Sequence, residues 1–135
     1  MDTSIVIPTY NRNSILYKHL AIAYAELKGS AYEIIVINDS KTNIVAVPGE
    51  WRSNITVVNN PKQGVASARN LGASLARSEY IIFADDDMII NRNAVEHSID
   101  FLKKNPRLNE YILLASMRHN TISIRINILR FVAKV

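Results

Sequence analysis

Apolar residues fall along this chain in short blocks of two kinds. SIVIP (4–8), YEIIVIN (32–38), ITVVN (55–59), YIIFA (80–84) and YILLAS (111–116) are near-continuous apolar runs rich in β-branched residues, the pattern of strands buried on both faces. Between them the spacing changes. Leu16, Leu20, Ala23 and Leu27 recur at helical intervals and predict a helix that stops near Gly29. Residues 64–77 are alanine-rich, with Val65, Ala68, Gly72 and Leu75 placed along one side, and predict a second helix opened by Gly64. Asn93 and Glu96 form an N-x-x-E capping pattern before Val95, Ile99 and Leu102, so a third helix opens there and ends before Pro106. Asn11 or Asn13 is placed to cap the first helix. Residues 39–54 carry no regular pattern. In TISIRINI (121–128) the spacing becomes strictly two, which predicts a half-buried strand, antiparallel or at a sheet edge.

Strands that alternate with helices and are apolar on both faces indicate an α/β fold: a mostly parallel sheet with helices on both faces. With 135 residues there is room for one such domain. Residues 1–117 form it, and 118–135 are expected to be a basic, strand-like tail that adds an edge strand. An exposed edge of four isoleucines is a pairing surface, so a homodimer through 121–128 is expected.

Composition is that of a globular domain, with 48% apolar and 21% charged residues. No apolar run is long enough to span a membrane, no signal-peptide pattern opens the chain, and there is no cysteine. The expected location is cytoplasmic. Charge is distributed unevenly. Residues 1–117 hold 12 basic and 12 acidic side chains, so the whole net charge of +4 comes from Arg118, Arg125, Arg130 and Lys134. The balanced main body disfavours nucleic acid, whereas the basic tail can meet an anionic membrane surface.

In open parallel sheets, ligands bind beyond the carboxyl ends of the strands. Four such places hold unusual residues. PTYNR (8–12) follows the first strand. Pro8 cannot extend a central strand, and the flat ring of Tyr10 can stack on a base or cover the sheet. Asp39 follows the second strand, where it can make an Asx-turn or accept N–H groups from a ligand. Arg69 lies in the helix after the third strand, facing solvent, an aspartate partner or a phosphate. Asp85, Asp86 and Asp87 follow the fourth. Carboxylates ~4 Å apart repel by about 4 kcal/mol at an effective dielectric near 20, so the triplet needs a counter-charge. Continued strand geometry would put Asp85 and Asp87 on one side and Asp86 on the other. That pair suits Mg2+ or Mn2+, which one or two carboxylates commonly hold together with substrate phosphates. Dinucleotide, P-loop and nucleophile-elbow motifs are absent, and His19, His97 and His119 have no ligand spacing.

In combination, SIVIPTYNR, EIIVINDSKTN and NNPKQGVASARNLGASLARSEYIIFADDDMI resemble the N-terminal half of family 2 glycosyltransferases, which have the GT-A fold. The resemblance covers residues 4–89 and implies a metal-dependent, inverting transferase with a nucleotide-sugar donor, expected to be a UDP-sugar. It implies that Pro8, Thr9, Tyr10 and Asn11 belong to the donor site, with Pro8 and Tyr10 flanking the nucleobase. By the same resemblance Asp39 meets the uracil edge, Arg69 lies near the nucleotide, and Asp85 or Asp86 lies near the ribose. Asp85 and Asp87 are the D-x-D pair, with Asp87 the leading ligand of Mg2+ or Mn2+. Asn38 and Ser40 depart from the family's usual Asp-Asp-Gly-Ser. Of the acids after Asp87, none of Glu96, Asp100 and Glu110 matches the family's base, so the catalytic base is unassigned. The acceptor, whether glycan, lipid or protein, is likewise open. The alternative reading is a binding module for a nucleotide sugar or nucleotide diphosphate, without turnover and lacking the acceptor half. A sugar nucleotidyltransferase is disfavoured because PTYNR stands where those enzymes carry a glycine-rich loop.

Overall fold

The computed structural model describes residues 3–107, 110–115 and 124–130. Among the described residues six strands form one sheet in the order β3-β2-β1-β4-β6-β5. Its parallel part is β1 (Thr3–Thr9), β2 (Tyr32–Asn38), β3 (Ile55–Asn59) and β4 (Tyr80–Phe83). Strand β6 (Ile124–Arg130) runs antiparallel to β4 on one side and to β5 (Glu110–Ala115) on the other. Helices α1 (Asn13–Leu27), α2 (Val65–Leu75) and α3 (Arg92–Lys104) complete the fold. Among the described residues no helix is long and apolar enough to cross a membrane.

The pleat sends alternate residues of each strand to opposite faces, and both faces are apolar. Ile5, Ile7, Ile34, Val36, Tyr80 and Ile82 pack against α1 and α3 through Leu16, Leu20, Ala23, Leu27, Val95, Ile99 and Leu102. Val6, Ile35, Ile37 and Ile81 pack on the other side against Ala68 and Leu71 of α2. Helices therefore cover both faces, as the apolar runs predict.

Several local expectations are corrected. Helix α3 is capped by Asn91, whose extended backbone precedes the first turn and whose side chain accepts the Ala94 N–H at 2.8 Å. Asn93 and Glu96 lie inside the helix, past the position where a cap can act. Neither Asn11 nor Asn13 caps α1. The N-cap position is Arg12, whose side chain makes no capping bond, and Asn13 donates to the Ile44 carbonyl at 3.0 Å. In α2, Ala68 and Gly72 are buried, but Val65 and Leu75 at its two ends are exposed.

The expected edge strand is not at an edge. Residues 124–129 pair with β5 and 127–130 with β4, so 127–129 has neighbours on both sides, and β3 and β5 are the edges of the described sheet. Period two reports that a strand has two unlike faces; it does not report its neighbours. The β5 side of the segment expected to dimerise is thus occupied from Ile124 onward, and its β4 side from Asn127. Ser116, residues 118–123 and residues 131–135, including Arg118 and Lys134, lie outside the described residues.

Pro8 sits inside β1, a central strand, which the residue type alone would forbid. The ladder explains why it is tolerated. The Val6 carbonyl accepts from Ala84 and the Thr9 carbonyl from Asp39, so successive residues bond alternately toward β4 and β2. Pro8 is turned toward the β4 side, where paired residues end at Val6 and Phe83. No N–H is needed there.

At the opposite end of the sheet, Glu33 is buried in β2. Burial alone would push its carboxyl up. Hydrogen bonds from Ser4 Oγ (2.6 Å), the Arg77 N–H (2.8 Å) and the Arg77 guanidinium (2.9 Å) outweigh this and hold it below its ordinary value of 4.5. A carboxyl lowered on folding stabilises the protein above its unfolded value, and that contribution disappears as pH falls through the folded value. Glu33→Gln is therefore expected to cost about 1–2 kcal/mol at neutral pH, a gap that narrows as the pH drops below 4.5. Urea melts of both proteins across this range check it, and a pH-independent gap would refute the assignment.

Candidate functional site

The carboxyl ends of β1, β2 and β4 and the start of α2 surround a cavity of about 330 Å³, within the usual range for small-molecule sites. Pro8, Thr9, Tyr10, Asp39, Asp85, Asp86 and Asp87 all line it, joined by Arg12 and Val65. Two expected residues stand outside its wall. Asn11 holds the left-handed conformation (φ 52°) that turns the chain out of β1. Arg69 reaches the cavity only through its contact with Asp85.

Asp39 is buried, and its neighbours explain its orientation. Its carboxylate accepts the Gly64 N–H at 2.9 Å and the Asn60 side-chain amide at 2.7 Å. It thus joins the end of β2 to the amino end of α2, where a negative charge is favoured. Gly64 has φ 113°, a conformation open to glycine and costly for any other residue. The Asx-turn belongs to Asn38 instead, whose Oδ1 accepts the Ser40 N–H. Three of the roughly four lone-pair positions of the Asp39 carboxylate are in use, which leaves one for a further donor.

The three aspartates are not equivalent, and their arrangement is not that of an extended strand. Strand β4 ends at Phe83, and a turn follows in which the Met88 N–H bonds the Asp85 carbonyl at 3.2 Å. Regular strand geometry ends there, yet the expected division of the triplet is kept: Asp85 and Asp87 are exposed and Asp86 is buried. Asp86 is 5% exposed, and both of its oxygens are engaged: Oδ1 accepts from Arg12 Nη1 and Oδ2 from Thr9 Oγ1, each at 2.8 Å. Asp85 and Asp87 are 56% and 51% exposed, and each has one long arginine contact, Arg69 Nη2 at 3.3 Å and Arg12 Nη2 at 3.4 Å.

The triplet's counter-charges in the protein are therefore Arg12 and Arg69. The pairing of Arg69 with an aspartate was among the readings of the sequence. Arg12 was not singled out, although a basic residue in PTYNR at a neighbouring strand end is the kind of signal that could have found it. Arg69 Nε is buried without an acceptor in the described structure. Such a group costs about 1–3 kcal/mol unless something supplies one.

Asp85 and Asp87 could hold a hard divalent cation, since both line the cavity and are half exposed. Among the described residues no three acidic, histidine or cysteine side chains converge on one point. Oxygens of a substrate would have to complete the coordination shell. The later acids are elsewhere. Glu96 and Asp100 line a separate cavity with Thr3 and Tyr32, at the amino ends of the strands. Glu110 opens β5 at that same end.

The comparisons with known proteins agree with this architecture. Chondroitin synthase of Escherichia coli is 38% identical over 104 residues, covering 73% of this chain and 15% of that protein. An uncharacterized glycosyltransferase of Haemophilus influenzae is 29% identical over 107 residues, covering 78% of this chain and 36% of that protein. The chain thus spans well under half the length of these curated relatives. Among solved structures, Staphylococcus aureus TarS 1–349 in complex with UDP-GlcNAc matches with a TM-score of 0.67 at 24% identity, over 87% of this chain and 35% of that one. A second structure of TarS 1–349 matches with a TM-score of 0.65 at 22% identity, over 92% of this chain and 38% of that one. The fold is that of the GT-A transferases. The model for glycosyl transferase family 2 matches residues 4–115. On the order of its strands, the placement of its cavity and this match, the chain belongs to glycosyl transferase family 2.

Proposed function

We propose that this chain is the donor-binding part of an inverting glycosyltransferase that takes a nucleoside-diphosphate sugar, with UDP as the nucleotide and Mg2+ or Mn2+ as cofactor. One observation carries the reading: a single cavity is lined by an exposed aromatic ring, a buried carboxylate with acceptor capacity to spare, and two half-exposed carboxylates beside arginines. Tyr10 and Pro8 offer flat apolar surface to a base. Asp39 accepts the imide N–H of uracil. Asp85 or Asp86 borders the ribose. Asp87, with Asp85, would hold the cation. When bound, the cation supplies Lewis-acid stabilisation of charge on the departing nucleoside diphosphate. The acceptor hydroxyl displaces that diphosphate at the anomeric carbon. Its proton goes to a carboxylate base that none of Glu96, Asp100 and Glu110 provides, given where they lie.

Ligand binding raises thermal stability through linkage. UDP with Mn2+, at a hundredfold over its dissociation constant, is expected to stabilise the chain by about 2.7 kcal/mol, or roughly 10 °C in Tm. UDP alone should give little. If no nucleoside diphosphate at millimolar concentration moves Tm with either metal, the reading is wrong. A shift with a UDP-sugar but neither hydrolysis nor transfer would instead favour a binding module.

A further inference from the structure

We infer that Arg12 is an exchangeable counter-ion of the donor site, competing with the divalent cation for Asp87 and pairing with the diphosphate once the cation has taken that carboxylate. The inference rests on the proposed function and adds a residue to it.

The two ends of the Arg12 guanidinium are in different situations. Nη1 lies 2.8 Å from Oδ1 of buried Asp86, a short charge-assisted bond. Nη2 lies 3.4 Å from Oδ2 of half-exposed Asp87, a long and screened one. The first contact anchors the side chain. The second is easily given up. A cation bound at Asp87 needs oxygens that face the cavity, and Arg12 Nη2 sits against one of them. Two positive charges cannot share it at close range, so arginine and metal are alternatives there.

Releasing Asp87 does not require Arg12 to leave. With Nη1 still on Asp86, Nη2 stays at the cavity wall, where a diphosphate would stand beside Asp87. A guanidinium presents several N–H donors in a fixed fork and suits phosphate oxygens. No rotamer-scale movement is needed for the exchange, only a change of partner at one nitrogen. Arg69 is less suited to this part, because it does not line the cavity.

The two halves of the inference have opposite signs in one variant, which a purely structural residue would not produce. In Arg12→Gln, Mn2+ alone, read from the EPR signal of the free ion, is expected to bind up to about fivefold more tightly, because an exposed ion pair no longer competes. UDP in saturating Mn2+, read by calorimetry, is expected to bind at least about tenfold more weakly, through loss of a charged hydrogen bond. Arg12→Lys should fall between, since one ammonium cannot serve Asp86 and the diphosphate together. If Arg12→Gln fails to melt cooperatively, the lysine variant carries the test with the same signs. Loss of both affinities together would mean that Arg12 only holds the loop, and would overturn the inference. So would no change in either while wild type binds UDP with Mn2+; the proposed function would then stand alone. If wild type binds no nucleotide with metal present, both fall.

Discussion

Replacing Asp86 by alanine is expected to destabilise the protein by about 2–3 kcal/mol, whereas Asp87→Ala should change stability by less than about 0.5 kcal/mol. The two residues are adjacent and chemically identical, so only their surroundings separate them. Asp86 is buried and accepts from Thr9 and Arg12, residues more than 70 positions away in sequence. Its loss leaves the Thr9 hydroxyl and a guanidinium nitrogen without their acceptor and removes the side-chain bonds that tie Asp86 to Thr9 and Arg12. Asp87 is half exposed with one long contact, and surface pairs of that kind contribute little. Function should divide the other way. Asp87→Ala should abolish the metal dependence of UDP binding while leaving the urea midpoint in place. Equal midpoints for the two variants would mean that the triplet acts as one undifferentiated patch. A metal dependence that survives in Asp87→Ala would refute that residue as the ligand.

The second large effect is expected at Gly72. A Cβ placed there would collide with Val6 Cγ1 and stand 3.0 Å from Cγ2. Val6 lies in the central strand and is fully buried, and a β-branched side chain has little rotamer freedom with which to yield. Helix α2 would have to lift from the sheet. Alanine gains up to about 1 kcal/mol in helix propensity over glycine, but overpacking a close contact costs about 1–3 kcal/mol or somewhat more. Gly72→Ala is therefore expected to be destabilising by about 2 kcal/mol net. It should also weaken nucleotide binding, since α2 begins at the Gly64 amide that holds Asp39 and carries Arg69 toward Asp85. Val6→Ala removes both Cγ atoms and leaves only Cβ, 3.2 Å from the added methyl, for a small shift to absorb. In that background Gly72→Ala should be close to neutral, a coupling of about 1–2 kcal/mol in a double-mutant cycle. If it costs the same in both backgrounds, the contact is not the cause.

How far the sequence could be read follows from the range of the forces involved. Strands and helices are local, and the spacing of apolar residues gave five strands and three helices nearly at their observed limits. The carboxyl ends of the parallel strands were recognisable as the site because that rule follows from topology alone. Sheet order was less accessible. Whether 124–130 lies at an edge depends on where 110–115 goes, and nothing in either segment encodes it. Capping was misplaced by two residues because Asn91 and Asn93 both present the right side chain, and backbone geometry chooses between them. Arg12 was hidden for a similar reason. Its partners lie at Asp86 and Asp87, so its role becomes visible only when the ends of β1 and β4 are brought side by side.

The unequal lengths of β1 and β4 have a consequence of their own. Strand β1 runs on to Thr9 after its pairing with β4 has stopped at Val6. A bare length of central strand is normally an invitation to another backbone, which could zip into the gap by main-chain hydrogen bonding. Pro8 stands at that step and has no N–H to offer a newcomer. The step is thereby guarded against strand addition from a neighbouring chain or from the protein's own unfolded segments, and it remains open to ligands small enough to need no ladder.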